Sequence, residues 1–298
     1  MVYDTLIVGS GPAGLTCAIF LGRYLRRVVV IDDGRPRNYA SRGIHGFLGY
    51  HAIPPNELRA RGRAEAEACG VEFREGRVEK IEPVGDLFEC TLASGECVPA
   101  RRVVLAYGIR DTIPDIPEID DYYGVSVHHC PDCDGYEARE KRIGVIGWET
   151  KAVAFALKLL QWSNDVVVFT HGHEREWDEE EHSKLLAEQI GVKDERIVAF
   201  EGDEGRARAA VLSTGERVPV EAIFFNIKVA RSSDLAEQLG CKCDANLIEV
   251  DDGRKTSVEG VWAVGDIVGP RLAITSAADG AIAAISINNS LQLPNRRV

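Results

Sequence analysis

The stretch HHCPDCDGYE, His128 to Glu137, sets Cys130 and Cys133 in a C-x-x-C pair. Asp134 follows the second sulfur directly, and His128 and His129 precede the first. Three chemistries fit such a stretch. His128, His129, Cys130 and Cys133, with Cys241 and Cys243 of the later CKC, could ligate zinc, but adjacent histidines before a C-x-x-C are not usual zinc-knuckle spacing. Inert buried thiols are a second reading, which Pro131 and the flanking acids argue against. The third is a redox dithiol. C-x-x-C lets two sulfurs meet at disulfide distance within one helical turn, and a thiolate at a helix N-terminus is stabilised. The third reading is the expectation, and no metal is expected. His129 either lowers a thiol pKa or is a solvated loop residue, and both readings stand.

A dithiol of this kind needs an electron carrier and elements to hold it. The N-terminus supplies a candidate. YDTLIVG reads as a strand ending at Gly9, and GSGPAG is a G-x-G-x-x-G run through Gly9, Gly11 and Gly14, with Pro12 and Ala13 inside it. Leu15, Ile19, Gly22 and Leu25 follow at helical spacing. A second strand, RRVVVID, ends in Asp32. In this context Gly9 allows the tight turn, Gly11 lets the backbone approach a pyrophosphate, and Gly14 lets the helix pack on the strand. The helix N-terminus offers N–H groups to phosphates, and Asp32 sits where an acid accepts from a ribose.

Near the other end, GVWAVGDIVG runs as a short strand into Gly265 and Asp266, followed by RLAITSAADGAIAAISI from Arg271. Here the chain resembles the two-domain flavoprotein disulfide reductases. The resemblance implies that Gly265, Asp266, Arg271, Ala273 and Ile274 lie along FAD. Between these ends, Pro114 and Pro117 look like a linker. The segment EKRIGVIGWETKAVAFALKLLQWSNDVVVFT then reads strand, turn, helix, strand again. Length, motif order and the C-x-x-C inside the insertion are similar to the low-molecular-weight thioredoxin reductases. That resemblance implies an α/β fold of two Rossmann-like, three-layer domains, the second inserted into the first. Residues 1–113 and 246–298 are expected to form the FAD domain and 114–245 the insertion. It further implies that Cys133 faces the flavin as the charge-transfer thiolate, Cys130 is the interchange thiol, and Asp134 is the general acid–base. Thioredoxin or a similar dithiol protein is the implied partner, and a homodimer the implied assembly.

The second nucleotide motif departs from the family pattern. GWETKA, Gly147 to Ala152, has Glu149 where a glycine should let the backbone touch a pyrophosphate, and Trp148 adds bulk at the turn. At the next strand end, HGHEREW keeps His171, but Gly172 and His173 replace the arginines that grip a 2′-phosphate in the family. Trp177 takes the place of a later one, and only Arg175 is nearby. Asp178 to Glu181 add an acidic run, and Lys228 stands where the family has glycine. NADPH is therefore not the expected donor. Ferredoxin, or a second FAD or another aromatic cofactor in the insertion, is expected instead. Two alternatives stay open: a rebuilt NADPH site using Arg175, Lys151 and Lys228, and a dithiol oxidase that passes electrons to oxygen. Tyr107, in the AYG of Ala106 to Gly108, could stack on an incoming ring or simply pack.

Composition sets the outer bounds. The chain has 298 residues, 45% hydrophobic and 28% charged, as in ordinary globular proteins. The formal net charge of −12 argues against nucleic acid and anionic membranes as partners. The N-terminus has no basic stretch before its apolar run, and no apolar run reaches the ~20 residues of a membrane helix. A cytoplasmic location is expected. There most of the eight cysteines should stay reduced, and Cys17, Cys69, Cys90 and Cys97 should simply pack.

Overall fold

The computed structural model describes residues 1–227, 229–269 and 272–292. The chain divides into two compact units, one of residues 1–39, 46–110 and 230–298, the other of 40–45 and 111–229.

The first unit opens with β1 (Tyr3–Val8), α1 (Pro12–Arg23) and β2 (Val28–Asp32), then α2 (Pro55–Ala68) and β3 (Glu72–Glu75). An antiparallel run follows: β4 (Val78–Val84), β5 (Leu87–Leu92) and β6 (Cys97–Leu105). β1 and β2 are buried along nearly their whole length, with Leu6–Val8 and Val28–Ile31 as continuous apolar runs, the pattern of parallel strands covered on both faces. β6 pairs with β1 along one edge and with β5 along its first half on the other. β7 (Ile109–Asp111) ends this stretch. α1 stops earlier than its periodicity suggests: Leu25 lies beyond the helix with φ 59° and is 92% exposed. A left-handed residue cannot continue an α-helix, so the apolar spacing there was accidental.

The second unit holds α3 (Ile119–Tyr122), β8 (Val127–His128), α4 (Pro131–Asp134), β9 (Ile143–Ile146), α5 (Lys151–Leu159), β10 (Val166–Phe169), α6 (Glu179–Ala187) and β11 (Gly191–Lys193). A three-stranded antiparallel sheet follows: β12 (Ile197–Asp203), β13 (Arg206–Leu212) and β14 (Arg217–Pro219). β15 (Ala222–Phe225) then returns to complete a parallel sheet in the order β11-β10-β9-β15-β8. β9, β10 and β15 are buried throughout, whereas β12 and β13 mix buried and exposed residues, as a sheet with one solvated face should. Residues 40–45 form a strap on this unit. It fits because Gly124, at φ +78°, has no side chain: a Cβ there would lie 2.1 Å from the Ala40 carbonyl oxygen. Arg42 donates to the Glu204 carbonyl (3.3 Å).

β16 (Val229–Arg231), α7 (Leu235–Gln238), β17 (Cys243–Asp244) and β18 (Leu247–Ile248) carry the chain back. Apart from Val229, these elements belong to the first unit, so its return begins at 230 rather than at the expected 246. One tie is Gln238 Nε2, which donates to the Glu79 carbonyl at 3.0 Å. β19 (Val261–Ala263) extends the main sheet beside the second half of β6, and α8 (Ala273–Leu291) closes the unit. Trp262 on β19 is fully buried, with its indole N–H on Ser286 Oγ at 3.1 Å. α8 crosses α1 closely because a Cβ at Gly280 would lie 2.1 Å from the Ala13 carbonyl. Cys17 and Cys90 are buried as expected, but Cys97 is exposed at the start of β6. No helix among the described residues is long and apolar enough to cross a membrane.

Candidate active site

The glycine turn between β1 and α1 is built as its motif predicts. Gly9 has φ +106°, and a Cβ there would come within 2.4 Å of the Ala106 carbonyl oxygen. A Cβ at Gly14 would lie 2.0 Å from Gly9 O, so only glycine lets the helix sit on the strand. Gly11 faces open space instead. No side chain caps α1 at Gly11, and Pro12 is its first residue, so side chains leave the N–H groups of the first turn to a ligand. Asp32 ends β2 with both oxygens engaged: Oδ2 accepts from Ser10 N (2.6 Å), and Oδ1 from Gly34 N (2.7 Å) and Arg59 Nη2 (2.9 Å).

Gly265 and Asp266 open a 3-10 turn, Gly265–Val268, near the start of α1: a Cβ at Gly265 would lie 3.1 Å from the Ala13 Cβ. Arg37 Nη1 pairs with Asp266 Oδ2 at 2.8 Å. Ala273 and Ile274 start α8, and Arg271 lies outside the described residues. Open space at Gly11, an uncapped helix start and paired acids at two strand ends form a cradle that fits the pyrophosphate and ribose of FAD. Sequence reasoning missed Arg37 and Arg59, which steady the two acids.

The dithiol lies in the second unit. Cys130 caps the single turn of α4, Cys133 N donates to Cys130 O (3.1 Å), and the two sulfurs form a disulfide. Glycine after Asp134 is required, because a Cβ at Gly135 would lie 2.5 Å from Pro131 O and 2.7 Å from the Trp162 ring. Each Asp134 oxygen faces a different imidazole: Oδ1 lies 3.7 Å from His45 Nδ1, and Oδ2 lies 3.5 Å from His128 Nδ1. Burial pushes the Asp134 carboxyl up to about 6; His45 pulls it back and Glu137 raises it further. Burial, with the positive neighbours His129, Lys141 and His45, drives His128 down to about 4, so its ring is neutral near pH 7. His129 turns away, its Nδ1 3.0 Å from the Tyr123 hydroxyl and its Nε2 3.7 Å from Asp111 Oδ2. His128 therefore takes the place beside the acid, while His129 is tied to Tyr123 and Asp111.

His45 was not legible in the sequence. Its Nδ1 lies 3.2 Å from the Cys133 carbonyl oxygen and 3.6 Å from Glu137 Oε2. No group of three or more His, Cys, Asp or Glu side chains among the described residues could hold a metal ion.

The crevice beyond β9 and β10 is furnished differently. The Trp148 indole stacks on the His173 ring, with centroids 3.7 Å apart and planes 15° from parallel. The Trp148 carbonyl accepts from Glu176 N (2.8 Å), and Thr150 Oγ1 donates to the Glu176 carbonyl (2.9 Å). These bonds fasten the turn after β9 to the loop after β10. Glu149 holds Lys151 at 3.0 Å. Arg175 donates to Asp194 through Nε (2.8 Å) and Nη2 (2.5 Å), a bidentate pair. Trp177 is buried in the core of the unit. His171 is buried too, and its Nδ1 accepts from Ile197 N (3.1 Å). Tyr107, in the first unit, keeps its hydroxyl buried, and burial pushes that phenol far above its ordinary range. This suits packing better than stacking. Lys228 lies outside the described residues.

Comparison with known proteins places the chain. Residues 3–280 match the model of the pyridine nucleotide-disulphide oxidoreductase family. A probable thioredoxin reductase of Arthroderma benhamiae is 28% identical over 89% of this chain and 74% of its own. The crystal structure of HlmI superposes with a TM-score of 0.92 at 38% identity, covering 97% of this chain and 92% of that one. The crystal structure of a putative thioredoxin reductase, TrxB, of Bacillus anthracis gives a TM-score of 0.90 at 30% identity, over 97% and 98%. The chain belongs to the pyridine nucleotide-disulphide oxidoreductases and is, within them, an FAD-type enzyme like the low-molecular-weight thioredoxin reductases.

Proposed function

We propose that this enzyme is a flavin-dependent thiol–disulfide oxidoreductase that works without a pyridine nucleotide, oxidising dithiols at Cys130–Cys133 with dioxygen as final acceptor. The observation that carries this reading is the furnished crevice of the second unit: a Trp148–His173 stack, the Glu149 carboxylate in the turn, and an Arg175 already claimed by Asp194. A 2′-phosphate would have to compete with the Asp194 carboxylate for that guanidinium, and a pyrophosphate would meet a carboxylate at close range. The same stack works against a second flavin there. The net charge of −12 works against ferredoxin, an acidic protein, as donor. Electrons then enter most directly from a thiol substrate.

Gly9, Gly11, Pro12, Ala13, Gly14, Asp32, Gly265, Asp266, Arg271, Ala273 and Ile274 are proposed to hold FAD. Once bound, FAD supplies the two-electron exchange that re-forms the disulfide and delivers the electrons to dioxygen. The rest falls to the chain. A substrate thiolate attacks Cys130 Sγ and the S–S bond breaks, leaving Cys133 as thiolate. The second substrate thiol attacks the mixed disulfide, releasing the product disulfide and Cys130. The substrate loses two electrons and two protons; Cys130 keeps one proton, and the other leaves the site. Asp134, titrating near 6, is placed to take it. Overall, dithiol and dioxygen become disulfide and hydrogen peroxide. The natural dithiol is proposed to be thioredoxin, after the relatives, or a similar partner, with the enzyme acting in the cytoplasm as a homodimer.

The test is anaerobic titration of the FAD-loaded protein. Dithiothreitol should bleach the flavin and air should restore it with peroxide formed, while millimolar NADPH should leave the spectrum unchanged. Bleaching by micromolar NADPH would return the enzyme to the conventional reductases. A reductase working in the opposite direction is the second reading, since the relatives are named thioredoxin reductases; with ferredoxin as its donor, reduction by ferredoxin but not by dithiols would select it.

A further inference from the structure

We infer that His45, carried on the 40–45 strap, is the relay that moves the proton between Asp134 and solvent by way of Glu137. The inference rests on the thiol–disulfide reading above and adds the proton's route.

The geometry converges on one nitrogen. His45 Nδ1 faces three oxygens: the Cys133 carbonyl at 3.2 Å, Asp134 Oδ1 at 3.7 Å and Glu137 Oε2 at 3.6 Å. None of the three donates when the acids are ionised, so a proton on Nδ1 finds partners and a lone pair there finds none. Side-chain exposure rises along the series, from 18% at Asp134 to 25% at His45 and 41% at Glu137. The sequence thus runs from the buried acid to an acid in contact with water. On the other side of Asp134 stands His128, which burial keeps neutral near pH 7, so that ring does not offer a charged exit. The groups facing Asp134 are thus His45 from the strap, His128 from β8 and Glu137 just past α4. Behind His128 stand His129 and Lys141.

The step balances simply. When the substrate thiol is deprotonated, Asp134 gains the proton. The His45 imidazolium gives its Nδ1 proton to Glu137 Oε2 and on to water, and the Nδ1 lone pair so freed takes the proton from Asp134 Oδ1, restoring the imidazolium. No electron moves through His45, which acts through Asp134 and is a positioning and relay residue.

The experiment follows the opening of the Cys130–Cys133 disulfide by dithiothreitol, anaerobically, in the FAD-loaded protein. Rapid mixing, alkylation of the freed thiols and mass spectrometry give the rate across pH. In His45→Ala the rate should fall about tenfold or more. Wild type should show an inflection near pH 6, and in the variant it should move upward, because the charge that pulls Asp134 down is gone. Added imidazole should restore the rate in proportion to its concentration, and should leave wild type unaffected. His45→Gln, which can still donate to the Cys133 carbonyl, should be as slow as His45→Ala, and this variant carries the test should alanine loosen the strap. Rates within twofold of wild type would overturn the inference. So would a slow variant with an unmoved inflection and no response to imidazole, which marks a structural role. Failure of dithiothreitol to open the disulfide in wild type would instead sink the thiol–disulfide reading itself.

Discussion

The turn after β1 and the turn after β9 occupy the same place in two related strand–turn–helix units, yet they have diverged position by position. Gly9 corresponds to Gly147, Gly11 to Glu149 and Gly14 to Ala152. In the first turn, Gly9 is forced into φ +106° against the backbone of Ala106, and Gly11 stands clear of every neighbour. In the second, a Cβ at Gly147 would press on the Ala152 side chain at 2.9 Å and lie in ordinary contact with the Asn226 carbonyl oxygen at 3.5 Å, and a carboxylate fills the position of the open glycine. The sheet and helix survive in both, because buried β9 and the apolar face of α5 depend on Ile143, Val145, Val153 and Ala156 rather than on the turn. The lesson is that a dinucleotide fold and a dinucleotide site are separable. The core keeps the first, and a few backbone approaches keep the second.

The comparison can be broken most severely by exchange. Gly11→Glu places the carboxylate of the second turn into open space in the first, so the fold should persist while FAD affinity drops about a hundredfold, as expected for like charge set against a pyrophosphate. Flavin retention on gel filtration and a fluorescence titration of apoprotein measure it. Next in size is the contrast between two glycine substitutions. Gly9→Ala should destabilise by about 2–4 kcal/mol, through positive φ and a backbone clash. Gly147→Ala crowds a methyl group rather than backbone and should cost about 1 kcal/mol. Urea unfolding of both variants reads the difference.

A third experiment runs the exchange in reverse. Trp148→Gly, Glu149→Gly and His173→Arg together unstack and discharge the second crevice. Calorimetry should then find NADPH binding improved about tenfold, with Asp194→Asn adding to it by freeing Arg175. No gain would mean that the crevice is closed by something deeper than these side chains.

The smallest effect concerns pH. Asp134 titrates at about 6 in the folded protein against an ordinary 3.8, so its contribution falls as pH rises from roughly 4 to 6. His128 sits at about 4 against 6.5, so its contribution falls as pH drops from 6.5 towards 4. The two slopes oppose each other and nearly cancel in wild type between pH 4 and 6. Asp134→Asn should uncover a stability that rises with pH, and His128→Asn one that falls. Each slope should be at most about 1.4 kcal/mol per pH unit in urea titrations.

Much of this was legible in the chain because it is local. The Gly9–Gly14 run, the strands around it and the C-x-x-C with its acid are short-range patterns whose geometry follows from spacing. What escaped depends on distant partners. His45 meets Cys133 across 88 positions, and Arg59 meets Asp32 across 27. No periodicity marks either residue. The replaced arginines signalled that the second site had changed, but not that Trp148 and His173 would stack in it. Leu25 misled because its spacing fitted a helix that had already ended. The return to the first unit at 230 was hidden because α7 and β17 are too short to show a period.

The 40–45 strap has a practical consequence for anyone recombining such enzymes. Its flanks, up to Tyr39 and from Gly46, belong to one unit while the strap itself belongs to the other. A chimera made by transplanting residues 111–229 alone would leave behind the histidine beside Asp134 and the carbonyl for which Gly124 makes room. The insertion is modular in sequence but not in chemistry, and a graft that works must travel in two pieces.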